Sequence, residues 1–144
     1  MILLDTNVIS EVMRPKPSSA VIDWFDAVAG LPLFTTAITE AELWSGFHQL
    51  AEGQRKTVLE KMIAETLAED FAGRILPFDS VAARVFGTIS AERARRGRPI
   101  STADCQIAAI AVARGFQLAT RNGRDFEHCG CDVINPWSGE TGGP

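Results

Sequence analysis

No apolar run in this sequence is long enough to cross a bilayer. The longest, Ile107 to Ala113, falls far short of the roughly 20 residues a spanning helix requires. There is no basic N-terminal region, and Asp5 interrupts the opening run Met1-Ile2-Leu3-Leu4 before a signal peptide can form. The expected location is the cytoplasm, with no membrane partner. Three cysteines, an odd number, do not make a disulfide framework and fit a reducing compartment. His128-Cys129-Gly130-Cys131 offers soft ligands, but a structural zinc site normally takes four and no second pair exists. Neither a Gly-rich phosphate loop nor a Ser-His-Asp arrangement is evident. A large positive charge is missing too, since a net charge of −4 argues against the basic surface of a DNA-coating protein.

What is present describes a folded domain. A chain of 144 residues with 46% hydrophobic and 22% charged residues is one domain, long enough to bury a core. The net charge conceals an asymmetry: residues 1 to 70 carry five Lys/Arg against eleven Asp/Glu, whereas the remainder carry nine against seven. Arg93, Arg95, Arg96 and Arg98 form a cluster that reads either as a contact for a polyanion such as RNA or as a solvated helix end, where cations suit the macrodipole.

Short apolar runs alternate with helical patterns. Strands are predicted near residues 2 to 5, 33 to 36, 74 to 78, 116 to 120 and 132 to 134. Helices are predicted over Ser18 to Val28, Thr39 to Leu50 and Asp79 to Arg96, and over 54 to 71, where Val58/Leu59, Met62/Ile63, Leu67 and Phe71 recur at helical spacing between Gly53 and Gly73. No repeat, low-complexity tract or linker appears before the Gly-rich segment from Ser138. The alternation predicts a three-layer α/β/α sandwich with a mostly parallel central sheet of about five strands, in a domain covering 1–137 followed by a flexible tail over 138–144.

Acids recur where strands end and helices begin. Asp5 closes the first strand, and in open α/β sheets ligands bind outside the carboxyl ends of strands. Glu42 stands three residues after Thr39, and Asp104 three after Ser101. Both spacings also read as capping boxes, in which the acids are structural. Asp104 precedes a helix, Cys105 to Ala113, that is apolar nearly all round and so belongs in the interior. If Asp5 and Glu42 converge on it, their repulsion raises their pKa values unless a cation intervenes, and Mg²⁺ or Mn²⁺ suits clustered carboxylates. Asn122 and Asp125 follow the strand ended by Thr120, as a further site group or as a simple turn and cap. Trp24, Phe25, Trp44 and Phe47 lie on predicted helices, either in the core or on a partner face.

In order, Asp5-Thr6-Asn7, Thr39-Glu40-Ala41-Glu42-Leu43, Ser101-Thr102-Ala103-Asp104 with Ile107-Ala108-Ala109, and Ala119-Thr120-Arg121-Asn122 through Phe126 resemble the motifs of PIN-domain nucleases. The stretches Met1 to Glu11 and Phe71 to Asp79, and the ending Asn135-Pro136-Trp137, resemble more closely the VapC toxins of bacterial type II toxin-antitoxin modules, in their FitB-like branch. The resemblance runs from Met1 to about Trp137. It implies a ribonuclease whose acidic pocket holds Mg²⁺ or Mn²⁺ through Asp5, Glu42 and Asp104. Some FitB-like members have Asp at the place of Asn122, so here the fourth acid is either missing or supplied by Asp125, and Asp125 is the expectation. Thr6, Thr120 and Asn122 are expected to position water or phosphate, and Arg93, Arg95, Arg96, Arg98, Trp44 and Phe47 to contact RNA or a partner. The resemblance further implies a homodimer and a cognate antitoxin with a DNA-binding N-terminal half, so that DNA is met only through the antitoxin complex. The competing reading keeps the scaffold without catalysis, as a binding module acting through such a partner on DNA. Asp5-Thr6-Asn7 is a poor match to haloacid-dehalogenase phosphatases, whose second aspartate is replaced here by Asn7.

Overall fold

The computed structural model describes residues 1–138. Strand β1 (Ile2–Leu4) leads directly into α1 (Thr6–Val12), and α2 (Ser19–Ala27), β2 (Leu33–Thr36), α3 (Ala37–His48) and α4 (Gln54–Glu65) follow. A π-helical turn, Thr66–Asp70, extends α4. Then come β3 (Ile75–Leu76), α5 (Ser80–Arg95), α6 (Thr102–Arg114), β4 (Gln117–Ala119), a 3₁₀ turn (Gly123–Phe126), β5 (Val133–Ile134) and a last 3₁₀ turn (Pro136–Ser138). The expected tail, 138–144, lies outside the described residues apart from Ser138.

The five strands lie in the order β3-β2-β1-β4-β5, and every pairing is parallel. Side-chain alternation divides the strand residues between two cores. Ile2 and Leu4 point to one face with Val8, Ile9, Trp24, Leu43, Phe47, Ile63 and Leu67. Leu3 and Leu118 point to the other, against Ala82, Ile89, Ile107, Ala108 and Ile110. Helices therefore cover both faces, as a fully buried parallel sheet requires. The all-round apolar α6 is buried at Cys105 and from Ile107 to Ala111. Among the described residues no helix is long and apolar enough to cross a membrane.

The sheet reverses direction at its centre. From β1 the chain builds outward through β2 to β3, then returns to lay β4 on the opposite side of β1 and β5 beyond it. The carboxyl ends of β1 and β4 thus diverge at a topological switch point, where an open sheet leaves a crevice. Asp5 and Thr120 are the next residues after these two strands.

Two helix starts matter for that crevice. Helix α3 begins at Ala37, earlier than expected, because Thr36 is its N-cap: the Thr36 hydroxyl accepts the Thr39 N–H at 3.0 Å. Glu42 is therefore not the acid of a Thr39 capping box and lies one turn inside the helix. Helix α6 starts as expected, with Ser101 Oγ accepting the Asp104 N–H at 3.2 Å.

Candidate active site

Asp5 is 5% exposed and is held from three sides. Its Oδ1 accepts the Thr6 N–H at 2.8 Å, which makes it the N-cap of α1. Its Oδ2 accepts the Thr120 hydroxyl at 2.8 Å and the Asn7 amide at 3.3 Å. The carboxylate so joins the ends of β1 and β4 across the switch point. Asn7 completes the junction: its Nδ2 also donates to Thr120 Oγ1 at 3.2 Å, and its Oδ1 accepts the Arg121 N–H at 3.2 Å. The Asn122 N–H donates to Thr120 Oγ1 at 3.1 Å, anchoring the start of the following turn.

Glu42 reaches the same crevice from α3. The Thr6 hydroxyl donates to Glu42 Oε1 at 2.6 Å and stands 3.0 Å from Thr39 Oγ1. A single hydroxyl proton cannot serve both oxygens; the shorter contact to the charged acceptor takes it, and Thr39 donates to Thr6. Thr6 is thereby the bridge between α1 and the acid on α3.

Asp5 feels the charges of Asp104 and Glu42, and Asp104 those of Asp125 and Glu42. Burial pushes the Asp5 carboxyl up to about 6, the Thr120 and Thr6 hydrogen bonds oppose this, and the charges of Asp104 and Glu42 add to the rise. Asp104 is also raised, chiefly by burial, with Asp125 and Glu42 adding; the Ser101 hydroxyl and the Arg93 cation oppose. Like charges brought together in a half-buried crevice favour a bound cation. Their hard oxygens suit a small divalent ion such as Mg²⁺ and offer nothing to a soft one. Among the described residues, no three His, Cys, Asp or Glu side chains stand close enough to close around an ion. An ion bound by these acids would therefore have to keep several of its own waters, as Mg²⁺ does.

A PIN domain model matches residues 2–130. The chain belongs to the PIN domain family. This PIN domain is 44% identical over 137 residues to a VapC ribonuclease of Sinorhizobium fredii, covering 95% of this chain and 98% of that one. It is 41% identical over 137 residues to toxin FitB of Neisseria gonorrhoeae, with 95% and 99% covered. A solved structure of FitAB bound to a DNA fragment superposes with a TM-score of 0.88 at 40% identity, covering 95% of this chain and 96% of that chain. Nucleases of the family generally need a divalent metal.

The remaining expected contact residues are distributed unequally in this PIN domain. Arg95 and Arg96 lie on the surface, each 2.8 Å from a carboxylate oxygen of Glu92. Arg98 pairs with Glu127 at 2.5 Å. Arg93 corrects the expectation of a surface contact, because it is 4% exposed and its guanidinium is turned onto main-chain carbonyls. Phe47 is buried, yet its edge lines an apolar cavity of about 470 Å³ between α1, α3 and α4 that also includes Glu42, Met13, Leu43, Val58 and Met62. Trp44 packs on the core and Trp24 lies within it. Sequence reasoning gave no site role to Asn7 and read Thr39 only as a candidate helix cap. The Asp5-Thr6-Asn7 triplet was visible, but only the neighbouring β4 end shows what its third member does. Cys105, Cys129 and Cys131 are free.

Proposed function

We propose that this chain is the toxin of a type II toxin-antitoxin module, an endoribonuclease that hydrolyses RNA phosphodiester bonds with Mg²⁺ or Mn²⁺ and is neutralised by a cognate antitoxin. One observation carries the reading: the buried Asp5 at the switch point, held by Thr120, Asn7 and Thr6, has the charges of Glu42 and Asp104 near it, and Asp104 in turn that of Asp125, in a chain 44% identical to a VapC ribonuclease. Asp5, Asp104, Glu42 and Asp125 are the residues that would hold the ion. When bound, such an ion acts as a Lewis acid toward a phosphoryl oxygen and lowers the pKa of a water. The chain supplies orientation. Thr120 and Asn7 fix the Asp5 carboxylate and Thr6 fixes Glu42; the Thr120 hydroxyl, fully buried and engaged with Asp5, Asn7 and Asn122, does not meet water or phosphate as expected from the sequence, which leaves that role to Asn122 and the free lone pair of Thr6. Arg95 and Arg96 provide the surface cations for the RNA backbone.

The cavity between α1, α3 and α4 is the seat assigned to the antitoxin. Its wall is largely apolar and includes Arg14, Arg55 and one of the four acids, Glu42. An apolar segment carrying an arginine would fill the groove and pair with a carboxylate, blocking the site by charge. The antitoxin's DNA-binding N-terminal half would then bring the complex, a toxin homodimer included, onto DNA.

Induction of the chain alone in a bacterial host tests the reading. Growth arrest with discrete RNA fragments is expected, absent for Asp5→Asn and relieved by co-expressing the short gene adjacent to it. Arrest by Asp5→Asn equal to that of the wild type, with intact RNA, would instead favour a non-catalytic binding module.

A further inference from the structure

The arginine cluster is divided in function by burial. Two of its members, Arg93 and Arg98, grip the segment that follows β4. From the last turns of α5, Arg93 donates its Nε to the Arg98 carbonyl at 2.6 Å and its Nη1 to the carbonyls of Asp125 and Glu127 at 2.7 and 3.1 Å. The same nitrogen stands 3.5 Å from Cys129 Sγ. Arg98 adds its ion pair with Glu127 and a 3.4 Å bond to the Arg124 carbonyl. On the core side Phe126 is 2% exposed. The 3₁₀ turn Gly123–Phe126 is thus fixed from both faces, although a turn of this length has little stability of its own.

Burying a guanidinium is costly unless each N–H finds an acceptor, and here two of the three main-chain acceptors, the carbonyls of Asp125 and Glu127, lie within or directly after the turn bearing Asp125. We propose that Arg93, assisted by Arg98, is a positioning residue that fixes the Gly123–Phe126 turn so that the Asp125 carboxylate stands beside Asp104 in the acidic site. This rests on the reading of Asp125 as the fourth acid. Lysine keeps the charge but lacks the planar fork, so it cannot serve the carbonyls of residues 98, 125 and 127 together.

The test is Mn²⁺ binding to the purified, partner-free protein by titration calorimetry, well below its unfolding temperature, alongside RNA cleavage kinetics. Arg93→Lys is expected to weaken Mn²⁺ binding roughly ten-fold, the scale on which groups supporting metal ligands act, and to lower kcat with KM for RNA unchanged. Asp125→Asn is expected to weaken it comparably, and the double variant to bind no more weakly than Asp125→Asn alone. An Arg93→Lys protein that melts earlier but binds Mn²⁺ like the wild type, while Asp125→Asn binds weakly, overturns the positioning role; so does strict additivity in the double variant. Wild-type Mn²⁺ affinity in Asp125→Asn defeats the fourth-acid reading and the proposal with it, and is told apart by the variant that shows it. Should Arg93→Lys fail to fold, the exposed Arg98→Ala decides: weakened Mn²⁺ binding supports the proposal and unchanged binding overturns it.

Discussion

Asp5 is asked to stay charged in a place that disfavours charge. Its carboxyl is pushed up to about 6 from 3.8, with burial the first cause. A raised carboxyl binds its proton more tightly in the folded chain than in the unfolded one. Its contribution is therefore fully present below about pH 4 and is lost as pH rises to about 6. The metal-free protein is accordingly expected to lose stability across this window, and Asp5→Asn to be more stable than the wild type at pH 7.5 by about 1–2 kcal/mol. Urea denaturation at pH 5 and 7.5 measures both, and an Asp5→Asn protein less stable than the wild type at pH 7.5 would contradict the cause assigned. Thr120→Val removes the hydroxyl that opposes the rise, so the Asp5 pKa should move above 6. Carboxyl titration by NMR reads it, and an unmoved value would mean that the bond does not stabilise the charged form. Asp5, Asp104 and the strand-end position of Thr120 were legible from the carboxyl-end rule and local spacing. The linking roles of Asn7 and Thr39 were not, because each depends on a partner from another element.

Elements were legible where periodicity was strong. Strand and helix positions came within a few residues, and the apolar α6 announced its burial. The exceptions have local causes. Thr35, Thr36 and Thr39 all offer cap hydroxyls, and only the direct passage of β2 into α3 selects Thr36. Continuation of α4 as a π turn shifts the hydrogen bonding by one residue without changing the apolar pattern enough to reveal it. In the arginine cluster, the buried member is chosen by the Asp125 carbonyl 32 residues away. Two tests belong at this scale. Val58 on α4 is 53% exposed and lines the apolar cavity, so Val58→Asp should change stability by no more than about 0.5 kcal/mol while weakening antitoxin binding; unchanged affinity by calorimetry would remove the groove assignment. At the end of α5, Arg95→Ala with Arg96→Ala should reduce the slope of log affinity for single-stranded RNA against log salt by about 1. An unchanged slope would return those arginines to their pairing with Glu92.

At the scale of the whole molecule, strand order assembles the site. The sequence implied a parallel sheet but not that β1 would lie between β2 and β4. That order brings residues 5–7 against residues 120–121, the junction on which the proposed site is built. The most direct measurement is cleavage of total RNA by the purified, partner-free chain in Mg²⁺ and in EDTA, beside Asp104→Asn. Discrete fragments in Mg²⁺ alone, absent with Asp104→Asn, are the expected result. Folded, metal-loaded protein that cuts no RNA, or Asp104→Asn that cuts at the wild-type rate, would contradict the assignment of these acids to metal-dependent hydrolysis.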